Sequence, residues 1–245
     1  MGGDWANLEP KRAMDILGQA VLQALSLLLQ GDAEVWQVML LSLQVSLLAT
    51  AISLVVGVPL GTWLALARFP GQRLVLALVY TGMGLPPVVV GLVITILLWR
   101  SGPFGQLHLL YTPSAIVIAQ VVLAFPEIVG LSAAAVQQLP LKLRLQILAL
   151  GATRTQALWL LIREARLPLL AAVMAGFGAV ISEVGAAMMV GGNIPGQTRV
   201  LTTAIVLETS KGNFAVALAL GLILLTLVYA VNLVLTWVQQ RGRPL

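Results

Sequence analysis

Five apolar runs dominate this chain, each at least as long as the roughly 20 residues a helix needs to cross a bilayer. They occupy residues 35–67, 74–99, 113–136, 167–190 and 214–238. None shows the period-two alternation of barrel strands, so each reads as a helix. The first is longer than the lipid core requires and must tilt or protrude. Charged residues make up only 9% of the 245, against 59% hydrophobic, whereas a soluble domain carries about 25% charged residues. Too few charges remain to cover a water-facing surface. That excludes an ordinary soluble enzyme, a disordered chain and a fibrous repeat. The expected fold class is all-α, a polytopic membrane helix bundle with about five transmembrane helices.

The connecting segments set the orientation. Arg68 and Arg73 lie in the first loop, Lys142, Arg144, Arg154, Arg163 and Arg166 crowd the segment 137–166, and Arg241 and Arg243 end the chain. Lys11, Arg12, Arg100, Arg199 and Lys211 fall on the opposite side. Lys and Arg accumulate on the cytoplasmic side of membrane proteins, which places the C-terminus in the cytoplasm and the N-terminus outside. The net charge of +5 reflects this asymmetry. There is no basic run, so nucleic acid is not an expected partner. The absence of cysteine excludes disulfides, thiolate catalysis and cysteine metal sites. The single histidine, His108, is expected in an outer loop with Tyr111, exposed or interfacial, and no metal site is expected.

Residues 1–12 lack the basic-then-apolar layout of a signal peptide. Residues 13–30 carry Asp15, Gln19, Gln23, Ser26 and Gln30 on one helical stripe among Leu, Ala and Val. Two arrangements satisfy this pattern: an amphipathic helix on the outer membrane surface, or a sixth span with Lys11 and Arg12 inside. The full-length polar stripe favours the surface helix. Residues 1–34 are expected to form an N-terminal tail and amphipathic helix, and 35–245 the transmembrane domain.

The segment 137–167 is apolar for a loop, with Leu145, Ile147, Leu148, Leu150, Ala157, Leu158, Leu160 and Leu161. Gly151 breaks the pattern, and Thr153 and Gln156 fit a capping box that starts a new helix. The pattern predicts a helix, a Gly turn and a short helix carrying Trp159, with Pro168 opening the next span. Two readings fit equally: a surface helix covering the bundle, or a helix offered to a soluble partner.

The run from Leu148 to Gln156 reads Leu-Ala-Leu-Gly-Ala-Thr-Arg-Thr-Gln, with Leu167 and Pro168 beyond it. It resembles the EAA loop of ABC importer permeases. Residues 84–91 (Gly-Leu-Pro-Pro-Val-Val-Val-Gly), 100–105 (Arg-Ser-Gly-Pro-Phe-Gly) and 182–196 (Ser-Glu-Val-Gly-Ala-Ala-Met-Met-Val-Gly-Gly-Asn-Ile-Pro-Gly) are similar to the molybdate/tungstate branch. Residues 198–213 resemble the tungstate type in particular, and the likeness runs from about 36 to 238. It implies a type I importer permease fold in a bacterial or archaeal cytoplasmic membrane. It further implies that Leu150, Gly151, Ala152, Thr153, Arg154, Thr155, Gln156 and Trp159 form the coupling element that sits in a cleft of an ATPase. The implied partners are a second copy of this chain, two cytoplasmic ATPase subunits, an extracytoplasmic oxyanion-binding protein and membrane lipid. ATP and magnesium would belong to the ATPase, leaving no cofactor on this chain. Two departures stand out. Leu145 replaces the acidic residue six positions before the loop glycine, and 17 positions separate Gly151 from Pro168, about one turn more than in many importers.

Carboxylates at membrane depth are costly and are usually functional or paired. Glu183 lies in the fourth run. An anionic cargo would repel it, so the expected role is structural, holding backbone N–H groups of the turn at Gly191, Gly192 and Asn193. Glu127, after Pro126, faces a subunit interface or a water-filled cavity. Pro86 and Pro87 cannot complete helical hydrogen bonds. With Gly82, Gly84 and Gly91 they make a bend beside a pathway, or close packing through small residues. In the loop 191–213, a helical stretch is expected at 200–208. Asn193, Thr198, Arg199, Thr202 and Thr203 read either as donors to an oxyanion or as turn and cap residues. Pathway or gating candidates are Pro86, Pro87, Glu183, Asn193, Thr198 and Arg199.

The chain has no Gly-x-x-x-x-Gly-Lys-Ser/Thr loop, so it is not expected to be an enzyme, and ATP hydrolysis must be a partner's. The expected function is a permease subunit moving tungstate or molybdate by alternating access, as a symmetric dimer. The alternative is a stand-alone ion-coupled secondary transporter using Glu127 and Glu183, although no internal repeat of the kind common in such carriers is visible. A membrane-embedded enzyme is disfavoured, because His108 alone supplies neither a zinc set nor a serine-protease base in a span.

Overall fold

The computed structural model describes residues 18, 21–24, 26 and 32–241. Its elements run α1 (Ala33–Leu66), α2 (Gln72–Gly82), α3 (Pro87–Leu98), a 3-10 turn (Gly105–Leu107), α4 (Pro113–Gln137), α5 (Leu141–Ala149), α6 (Arg154–Glu164), α7 (Arg166–Ile181), α8 (Gly185–Gly191), α9 (Leu201–Ser210) and α10 (Phe214–Arg241). No strand occurs among the described residues, as the all-α reading expects.

α1 starts where Asp32 Oδ1 accepts the N–H groups of Glu34 and Val35, at 2.9 and 3.1 Å, an N-cap. Its 34 residues extend roughly 51 Å at the helical rise of about 1.5 Å, well beyond a hydrocarbon core of about 30 Å. One face carries Ser42, Ser46, Ala49, Ser53, Gly57 and Gly61, all buried. This small-residue stripe lets α4 approach closely. A Cβ on Gly61 would stand 2.4 Å from the Val129 carbonyl oxygen. α4 is the central helix. Thr112 caps it, Pro113 occupies its first turn and Pro126 lies within it. It packs against α1, α2, α3, α7 and α8.

α1, α4 and α10 are each long and apolar enough to cross a membrane. Two bent pairs, α2 with α3 and α6 with α7, bring the count to five if each is one span. The second apolar run is thus not one straight helix. α2 and α3 meet at 98°, because Pro86 and Pro87 cannot donate and a residue before proline avoids the helical region. The fourth run is also interrupted: α7 ends at Ile181 and α8 restarts at Gly185. No proline acts here. Ser182 Oγ bonds back to the Gly178 carbonyl at 2.7 Å, and the Glu183 side chain starts the next helix.

Of the stretch 13–30, Asp15, Gln19 and Gln30 lie outside the described residues, so the choice between surface helix and sixth span lies there too. Residues 21–24 are helical, and Ala24 is buried with Val38, Leu201 and Ala204.

Candidate coupling segment and transport pathway

At one end of α4, the chain leaves the bundle as α5. Arg144 anchors this exit by donating to the Val136 carbonyl. α5 stops at Gly151, whose φ of +79° suits glycine alone without strain. The Gly151 and Ala152 N–H groups return to the Leu148 and Ile147 carbonyls at 3.0 and 3.3 Å, a Schellman turn. Thr153 then opens α6. Its Oγ1 accepts the Gln156 N–H at 3.4 Å, and Gln156 Oε1 accepts the Thr153 N–H at 2.9 Å, so the expected capping box is formed. Ala157 and Leu161 turn inward onto Ile147, with Leu66, Leu139 and Leu143 around them. The outward face is apolar: Leu150 is 87% exposed and Trp159 66%, beside Leu145 and Leu148. Arg154 and Thr155 are exposed at its edge. α6 bends 74° into α7. This exposed apolar surface, edged by Arg154, is held in one shape by a Schellman turn and a capping box.

Of the pathway candidates, Pro86, Pro87 and Glu183 lie at the two helix breaks, whereas Asn193, Thr198 and Arg199 lie in the loop after α8. Gly185 sits against α3: a Cβ there would meet Val88 Cγ2 at 2.7 Å. One turn on, a Cβ on Gly91 would meet Ala186 Cα at 2.8 Å. α3 and α8, the two segments that follow breaks, therefore pack backbone to backbone. The Glu183 carboxylate does not reach the Gly191–Asn193 turn. Its Oε1 accepts the Ala186 N–H at 2.9 Å, capping α8 three residues away, and Thr202 Oγ1 donates to its carbonyl at 2.8 Å. The Gly191–Asn193 turn is held instead by Thr198, whose Oγ1 donates to the Gly191 carbonyl at 2.6 Å and accepts the Ile194 N–H at 3.0 Å. Arg199 bridges Glu34 of α1 at 2.7 Å and Asn193 Oδ1 at 3.3 Å. Thr203 bonds both the N–H and the carbonyl of Val200. The hydroxyls of Thr198, Thr202 and Thr203 therefore each donate within the protein, in the turn and at the start of α9. The helix expected at 200–208 is observed as Leu201–Ser210. Glu127 is half-buried on α4.

Over residues 57–244 the sequence matches the family described as binding-protein-dependent transport system inner membrane component. The chain belongs to this family. The relatives of this permease include the tungstate uptake system permease protein TupB of Peptoclostridium acidaminophilum, 40% identical, with 93% of this chain and 100% of that protein covered. A probable anion ABC transporter permease protein of Haloferax volcanii is 45% identical, covering 78% of this chain and 84% of its own. Among solved structures, a chain of the MetNI methionine ABC transporter in an inward-facing conformation superposes with a TM-score of 0.69 at 21% identity. That match covers 86% of this chain and 95% of the other, and it shows the ABC importer permease fold.

Two polar groups of this permease escaped the sequence reading. Ser42 on α1 accepts the Leu201 N–H at 2.7 Å and so starts α9 from across the bundle. Gln120 on α4 is 3% exposed and donates to the Val180 carbonyl at 2.9 Å, just before the second break. Their signal was available as polar residues within apolar runs, Ser42 on the small-residue face of α1.

Proposed function

We propose that this permease is the membrane subunit of an ATP-driven importer that carries tungstate across a cytoplasmic membrane, with molybdate as the competing cargo. The observation that carries this reading is the 40% identity to a tungstate uptake permease along 93% of the chain. Two copies would form the pathway, two ATPase subunits holding ATP and magnesium would supply the energy, and an extracytoplasmic binding protein would deliver the oxyanion. The C-terminus and α5–α6 would face the cytoplasm, the side that the distribution of Lys and Arg favours.

In this mechanism the permease does no covalent chemistry. ATP binding closes the ATPase pair, and Leu150, Trp159 and the α6 start move with it. The motion enters the bundle through α7, whose lower half packs on α4 and whose end meets the Glu183 break. α8 and α3, locked together at Gly185 and Gly91, then shift about the two breaks, and the pathway opens on the other side. Glu183 serves by holding the start of α8, not by touching an anion.

The test is vanadate-sensitive ATP hydrolysis by the permease reconstituted with its ATPase and binding protein. Tungstate-loaded binding protein should stimulate hydrolysis above the unloaded protein. No stimulation with folded partners would refute the importer assignment, and stimulation by loaded sulfate-type protein alone would refute the cargo.

A further inference from the structure

A cavity of about 420 Å³ lies between the end of α3 and the start of α4, lined by Leu98, Trp99, Arg100, His108, Leu110 and Tyr111. It sits at the opposite end of α4 from the coupling segment. Its walls are fixed. Phe104 N–H returns to the Leu97 carbonyl at 3.0 Å, and Tyr111 N–H is tied to the Val190 carbonyl at 2.9 Å. A Cβ on Gly105 would stand 2.2 Å from the Trp99 carbonyl oxygen, so the turn admits only glycine. His108 and Tyr111 hold positive φ values of 50° and 63°. Such strain in non-glycine residues persists only where the surroundings impose it, and it clusters at functional sites.

Among the described residues the charge in this cavity has no counter-charge. Arg100 has no hydrogen-bond or ion-pair partner among the described residues, and the sequence holds no Asp or Glu between Glu34 and Glu127. A second cleft contrasts with it. There Arg199 lies among Asp32, Glu34 and Glu208, which would repel an anion. The cavity at Arg100 calls for an anionic group. Its remaining lining is apolar and aromatic, and Trp99, Phe104, Leu107 and Tyr111 stand exposed around it. A hydrated free oxyanion gains nothing from such a rim. A phospholipid does, because its phosphate can meet Arg100 while its glycerol and first methylenes cover Trp99 and the leucines. Amphipathic aromatics and an Arg at the ends of membrane helices are the groups that settle at headgroup level.

We propose that Arg100, His108 and Tyr111 form a binding site for the phosphate headgroup of an anionic phospholipid, seated between α3 and α4. The bound lipid would brace the end of α3, the segment that follows the Pro86–Pro87 break. The test uses the purified permease with its ATPase subunits, offered phosphatidylglycerol and phosphatidylcholine in competition, with retained lipid read by native mass spectrometry. The unmodified chain should retain phosphatidylglycerol preferentially, and Arg100→Gln should cut that preference about fivefold, the effect of one basic residue at an anionic surface. Arg100→Lys should keep most of it. His108→Asn, which tolerates positive φ, should weaken retention without unfolding the loop. Equal preference in the unmodified chain and Arg100→Gln would overturn the proposal. Release of the lipid by tungstate or inorganic phosphate would reassign the site to a free anion, and release by the binding protein to a protein contact. A further measurement needs no Arg100 variant. Phosphatidylglycerol with brominated acyl chains should quench the Trp99 fluorescence, read as the difference from Trp99→Phe; no difference would equally overturn the site.

Discussion

Glu183 illustrates how a single buried carboxylate is used here. Its Oε1 accepts the buried Ala186 N–H. Glu183→Ala should leave that N–H unsatisfied and cost about 1–3 kcal/mol, whereas Glu183→Gln keeps a carbonyl acceptor and should cost less. Thermal unfolding in detergent separates the two; equal losses would show that the charge, not the cap, matters. Glu208 is the contrasting acid. Hydrogen bonds from Lys211 and Asn213 hold its carboxyl below the ordinary value of 4.5. A depressed folded-state value means the contribution is present above about pH 4.5 and is lost as pH falls below it. Lys211→Met should lower stability slightly at neutral pH and flatten the acid limb of the profile measured from pH 6 down to pH 3 (about the range where carboxylates titrate), the two chains converging at the acid end.

At the scale of elements, packing is governed by backbone approach. Gly61 admits the Val129 carbonyl of α4 at a distance that no Cβ could share. Gly61→Ala should therefore separate α1 from α4 and cost about 1–3 kcal/mol. Gly221 on α10 has open space where its Cβ would be, so Gly221→Ala should be neutral or should stabilise by up to about 1 kcal/mol through helix propensity. Parallel melting curves check both, and equal behaviour would refute the close-packing argument. The turn between α5 and α6 depends on conformation instead. Nothing lies within 4 Å of a Cβ at Gly151, yet its φ is +79°. A β-branched side chain, as in Gly151→Val, should thus leave the bundle intact, reorient α6 and reduce ATPase co-purification. Unchanged co-purification would remove α6 from the docking surface.

For the whole molecule, the orientation is the property that function most depends on. α4 separates the loop carrying Gln106 from the segment carrying Thr155, and both residues are exposed. The chain has no cysteine, so single replacements report cleanly. Gln106→Cys should react with an impermeant maleimide on intact cells, and Thr155→Cys only after permeabilisation. The reverse pattern would invert the proposed topology and with it the direction of transport. Among the long-range polar links of the described residues, Arg199 to Glu34, Leu201 N–H to Ser42 and Thr202 to Glu183 tie the loop 191–200 and α9 to α1 and to the second break.

The sequence by itself determined the class, the approximate spans and the helix, turn and capped helix around Gly151, because those follow from local physics. Runs of apolar residues must leave water, Gly151 must end a helix, and Thr153 with Gln156 must begin one. The double proline at 86–87 announced a bend, though not its 98°. What only the tertiary structure decided was the partner of each buried polar group. The partners of Ser42 and Gln120 are not legible in the chain, because a hydrogen bond across a helix bundle leaves no periodic trace, and Glu183 takes the nearby Ala186 N–H rather than the Gly191–Asn193 turn once the helix breaks before it. The second break depends on the same cause. No proline marks it; the Glu183 carboxylate caps the start of α8, and α3 and α9 pack against the break through Val88 and Thr202.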